Sequence, residues 1–221
     1  MSQSQPKFFC FFFSKKEAFL PPPMTLYRRL SARFRTYTEN PDPLVEINNW
    51  VAMIVGTHLP FWPLYILWCA GTQSLPTSLL TICFSPIFLA IPALSRRHPI
   101  AARIVMPVAG IANAVFTTWI LGAASGAELF LVPCAALSAM IFRHEHRWLM
   151  AALTTLPLLV WYALLGHAPT PLHRYDPASL HELFILNGFS IGILLVIFGW
   201  FHTHAYRRLT PPATGSAPHS R

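Results

Sequence analysis

Charge is what this chain has little of. Only 11% of its 221 residues are charged, eight of them acidic, where soluble domains carry about 25%. With 54% hydrophobic residues and a mean hydropathy of +0.46, that scarcity excludes a soluble globule and marks an integral membrane protein. Cysteine is also sparse: Cys10, Cys69, Cys83 and Cys134 show no CxxC or CxH spacing, which excludes a disulfide framework or a cysteine-based zinc site and predicts buried thiols. HExxH is absent, as are the HxxxH and HxxHH boxes of membrane di-iron desaturases and hydroxylases. No period of 20–50 residues repeats, and the halves lack the inverted symmetry that transporters carry. The +8 formal charge falls in clusters between apolar runs, so it reads as membrane topology and not as nucleic-acid binding.

What is there is a series of long apolar runs. A helix needs about 20 mostly apolar residues to cross a bilayer core. Six stretches qualify or come close: 45–70, 75–94, 100–121, 128–142, 148–165 and 182–206. The fourth is the shortest. All but one of the 16 Lys and Arg residues, the exception being Arg174, then fall on one side. The predicted fold class is therefore all-α, a polytopic bundle of six transmembrane helices with both termini cytoplasmic. Its expected location is the inner membrane of a bacterial cell. The short connectors leave no sizeable extracytoplasmic domain, so anything recognised must be small, lipidic, or a state of the membrane itself.

Three regions are expected. Residues 1–44 form a basic cytoplasmic lead, in which Lys7-FFCFFF-Ser14 is too short to cross and lacks a signal-peptide cleavage site; Met24 is the expected natural start. Arg28, Arg29, Arg33 and Arg35 suit attraction to anionic membrane lipids. Residues 45–208 form the bundle, and 209–221 a disordered cytoplasmic tail. That tail leaves no room for an effector domain, so an output would need a separate chain.

The candidate site starts from His58, a polar residue at mid-membrane and hence a functional hypothesis by default. Asn113 lies at similar depth, and Gly110, Asn113 and Thr117 share one helix face. Nearer the outer surface are Glu128, Asn187 and Ser190, with Trp62 and Trp119 as aromatic walls. Pro60, Pro63, Pro86, Pro107, Pro133 and Pro157 put a proline in each of the first five spans, kinking or wedging the helices. A cavity between spans one, three, four and six is expected, with His58 and Asn113 paired. The plainer alternative is that these groups only tie helices together.

No metal or cofactor is expected. His144-Glu-His146 and His202-Thr-His204 point their rings to different helix faces, and only His58 lies deep enough to face a haem. Gly188-Phe-Ser190-Ile-Gly192 matches the nucleophile-elbow pattern, but that pattern needs a strand-to-helix turn and here falls inside an apolar span. No catalytic constellation is found.

The chain resembles the six-helix membrane-associated sensor modules that precede class III nucleotide cyclases and some histidine kinases in bacteria. The basic LYRRL lead, the Thr57-His58 pair in span one, Trp119-Ile-Leu-Gly122 followed by Ala-Ala-Ser-Gly126 and ELFLVP, and the Arg143-His-Glu-His-Arg147 turn carry the likeness over 26–208. The resemblance implies a receptor for a small or lipidic ligand, or for membrane state, that signals through its last helix to a homo-oligomer or a separate signalling partner. A small-molecule or ion transporter or channel is the alternative, and an intramembrane enzyme a second one.

Overall fold

The computed structural model describes residues 23–167 and 170–209; the expectations for the 1–22 lead and the 210–221 tail lie outside these residues. The chain divides into two compact units, 1–36 and 37–221. The first contains most of α1 (Pro23–Thr38), a basic helix in which Ser31 donates to the Arg28 carbonyl. The second is the bundle: α2 (Pro43–His58), α3 (Trp62–Ala70), α4 (Leu75–Leu79), α5 (Ser85–Ser95), α6 (Pro99–Leu121), α7 (Leu131–Ile141), α8 (Arg147–His167) and α9 (Pro177–Leu209), with short 3-10 turns between. No strand occurs among the described residues.

Among the described residues, five stretches are long and apolar enough to cross a membrane: Pro43–Ala70, Thr72–Ser95, Pro99–Leu121, His144–His167 and Pro177–Ala205. Ala127–Ile141 is shorter. Its four 3-10 residues and 11 α-helical residues would span about 24 Å, at ~2.0 Å and ~1.5 Å per residue respectively.

Two helices begin on the same local signal, Asp followed by Pro. Asp42 caps α2 by accepting from the Leu44 amide at 3.0 Å, and Asp176 caps α9 by accepting from the Ala178 and Ser179 amides, both at 3.0 Å. Aspartate satisfies an orphan donor of the first turn, and proline at the next position lacks the donor that would go unused. The Ser179 hydroxyl and those amides hold the exposed Asp176 carboxyl below its ordinary pKa.

The first two spans are both interrupted. α2 ends at His58, the chain makes a 3-10 turn over Leu59–Phe61, and α3 resumes at Trp62. Pro60 has no N–H to give the Gly56 carbonyl; Ser85 Oγ, from the start of α5, supplies that bond at 2.7 Å. The Leu59 carbonyl, deprived of a partner by Pro63, accepts from the Trp62 amide. The expected single helix over 75–94 is likewise split, by a 3-10 turn at Leu80–Ile82 and a bend at Cys83 and Phe84. Pro86 again removes a donor, while Ser78 and Thr81 hydroxyls bond back to the Leu75 and Ser78 carbonyls, which competes with regular helix.

Gly56 makes the approach of these spans possible. A Cβ there would lie 3.0 Å from the Leu89 side chain and 3.1 Å from its backbone nitrogen. α6 and α7 are as close, since a Cβ on Gly110 would lie 2.7 Å from Cys134 Sγ. The main core joins Val51, Phe88, Ile91, Met106, Leu137 and Phe198 from five helices. α8 buries only Leu153 and Pro157. α9 buries one stripe, including Leu183, Asn187, Ile191, Phe198 and Ala205, at intervals of four and seven residues. The expectation of buried thiols fails at Cys83, which is exposed at the bend between α4 and α5, while Cys69 and Cys134 are half-buried.

Candidate functional site

The break after α2 sets the site. Because the α-helix stops at His58, its imidazole projects at the joint, 5.7 Å from the Tyr65 ring and 6.0 Å from the Trp62 ring, centroid to centroid. Trp62 is buried and meets Phe130 edge-on at 6.1 Å. Beside these rings is a cavity of about 200 Å³. α2 contributes Ile54 and His58, and the start of α3 contributes Trp62; α6 contributes Asn113, Ala114 and Thr117; Phe130 precedes α7; and α9 contributes Ser190, Ile193, Leu194 and Ile197. His58 stands exposed at the rim, Asn113 is half-buried and Thr117 is buried, so polar groups run from mouth to floor of an otherwise apolar chamber.

Five of the eight residues singled out from sequence therefore share one cavity: His58, Trp62, Asn113, Thr117 and Ser190. His58 and Asn113 both line it, and no hydrogen bond between them is found among the described residues; Asn113 Oδ1 is buried with no hydrogen-bond partner. Ser190 lies within α9 and donates to the Leu186 carbonyl at 2.9 Å, so the GxSxG match forms no elbow. The other three stand apart. Trp119 is 40% exposed and packs on Phe116. Asn187 is fully buried one turn before Ser190 on α9 and is committed elsewhere, with Nδ2 donating to the Ser125 carbonyl at 2.8 Å. Glu128 lies two residues before Phe130 in a 3-10 turn and does not line the cavity, and its buried Oε2 has no hydrogen-bond partner among the described residues. Among the described residues, no three His, Cys, Asp or Glu side chains are grouped to hold a metal ion.

A second polar centre has no counterpart among the residues singled out from sequence. Arg103, a connector charge by its position in the chain, is 3% exposed inside α6 and donates to Asp42 Oδ2. Arg143 Nη2 stands 3.4 Å from the other carboxylate oxygen. Burial pushes the Asp42 carboxyl up, but Arg103, the Leu44 amide and Arg143 outweigh it and hold the group below its ordinary value. One turn on, Glu46 Oε2 accepts from Arg208 Nη1 at 2.8 Å, tying the end of α9 to the start of α2. Asn48 and Asn49, both fully buried, donate to the Ala102 and Thr38 carbonyls. The available signal is an aspartate between two prolines directly ahead of an apolar span.

Among the described residues the chain is helical and strand-free, with five helices long and apolar enough to cross a membrane, the make-up of a multi-pass membrane protein. It belongs to the MASE7 family, whose family model matches residues 35–208. Comparison with curated proteins gives no match.

Proposed function

We propose that this protein is a receptor-like sensor in the bacterial inner membrane, binding a small or lipidic ligand in the cavity bounded by α2, α6 and α9. The supporting observation is the convergence of His58, Trp62, Asn113, Thr117 and Ser190 on one chamber, one wall of which is α9. α9 also reaches the ion pair of Arg208 with Glu46. Occupancy biases α9 between two positions, and α9 conveys the change to a partner, either a second copy or a separate signalling chain. Open space beyond Gly188, Gly192 and Gly199 on the outer face of α9 suits close approach by another helix. The chain crosses six times, Ala127–Ile141 being the short span, with the arginine-rich end in the cytoplasm. No catalysis is assigned to it.

The test uses purified protein in lipid nanodiscs, with a spin label near the end of α9. Lipid extract or culture supernatant should raise thermal stability and change label mobility, and His58→Ala should abolish both effects. If neither quantity moves with any extract, the sensor reading fails.

A second reading is favoured by the interrupted spans. Discontinuous helices near the bilayer midplane are a hallmark of transporters, and the first two spans are both discontinuous. In a transporter or channel His58 would line the path, and liposome flux lost on His58→Ala would select that reading.

A further inference from the structure

Resting on the cavity reading above, we infer that the ligand is an uncharged amphiphile, an aliphatic body with a hydroxyl or carbonyl head. The lining holds no Asp, Glu, Lys or Arg. A carboxylate or phosphate head would lose its hydration without a cation to replace it, at a cost of several kcal/mol, and an ammonium head would meet no carboxylate. Hydrogen-bonding groups are nonetheless present. His58 offers one ring nitrogen as donor and the other as acceptor. The Asn113 amide carries both, interchanged by a half-turn about its last bond, and its Oδ1 has no partner in the protein. Ser190 gives its proton to the Leu186 carbonyl and keeps its lone pairs free to accept. A hydroxyl both donates and accepts, so it can satisfy this set where a purely apolar molecule leaves the amide orphaned. At about 200 Å³ the chamber is below the ~300–1,000 Å³ of sites for drug-sized ligands. It suits a short chain, with the isoleucines and leucines as its bed and the Trp62 and Phe130 rings as its wall.

Equilibrium binding to protein in phosphatidylcholine nanodiscs, with empty nanodiscs subtracted for partitioning, tests this with four probes of equal chain length: 1-octanol, octane, octanoate and octyltrimethylammonium. The expected result is a saturable site for octanol, about five- to tenfold weaker for octane, on the scale of a hydrogen bond, and weaker still for both ions at pH 8. Asn113→Leu should bring octanol down to the octane affinity; should that variant fail to fold, the nearly isosteric Thr117→Val carries the comparison. Equal octanol and octane binding, unaffected by either variant, would overturn the inference and leave an apolar cavity. Tightest binding by octanoate would overturn it in favour of an anion, and by the ammonium in favour of a cation held on Trp62 and Phe130. If lipid extract shifts stability while octanol shows no saturable site, the uncharged head is refuted and the sensor reading stands. If neither acts, both fall.

Discussion

Asp42→Asn separates charge from shape where the buried Arg103 meets its counter-ion. Asparagine caps helices about as well as aspartate, so the bond from the Leu44 amide survives, and what is lost is the charge facing Arg103. Removing one partner of a buried ion pair costs about 3–5 kcal/mol. The Asp42 side chain is 28% exposed while that of Arg103 is 4% exposed, so solvent relieves part of the loss and about 2–3 kcal/mol remains. At about 2–4 °C per kcal/mol for a chain of this size, the melting temperature in nanodiscs should fall by about 4–12 °C. Arg103→Met alone leaves Asp42 with partial hydration and with Arg143 at 3.4 Å, and should cost about 1 kcal/mol. The double variant carries no uncompensated charge and should recover most of the stability lost by Asp42→Asn. If the double variant melts no higher than Asp42→Asn, the isolated Arg103 cation is not the source of the loss and the reasoning is wrong.

The same pair sets an acid limit. The folded Asp42 carboxyl sits below its ordinary value of 3.8, so its stabilisation is complete above that value and is lost as pH falls through the lower folded one; a pH series of melting temperatures should show this acid limb in the wild type and lack it in Asp42→Asn. Ser85→Ala strands the Gly56 carbonyl and should cost about 1–3 kcal/mol by thermal or denaturant unfolding, with Ser85→Thr milder. Gly110→Ala drives its methyl into Cys134 Sγ, 2.7 Å away, and should lower stability by about 1–3 kcal/mol; Cys134→Ala in the same chain should restore most of it, and an additive double variant would refute the contact.

Depth along a helix axis can be counted from sequence, and the two residues chosen for depth, His58 and Asn113, line one cavity, with Thr117 beside Asn113 on the same helix face. Azimuth is harder. Glu128 is singled out by its depth at the start of the fourth span, but two residues from the cavity-lining Phe130 it points elsewhere whether each residue advances about 100° or about 120°. Asn187 and Ser190 are three apart and share a face by spacing, yet the former is committed to the 122–126 turn and the latter to the cavity. The prolines announce where the first span breaks. They cannot announce Ser85 as the donor repairing it, because that partner lies 29 residues away on another span. Arg103 is hidden by its own usefulness: counted as a loop charge it supports the topology, and nothing local marks it as buried.

The joint at Gly56 has an evolutionary consequence. Four positions on two spans are bound into one arrangement: Pro60 withholds a hydrogen bond, Ser85 returns it, Gly56 leaves room, and Leu89 fills that room. A regular residue at 60 would make the serine dispensable, and a larger residue at 56 would require a smaller one at 89. Substitutions here are therefore inherited as a set, and among sequences of this family positions 56, 60, 85 and 89 should vary together or not at all.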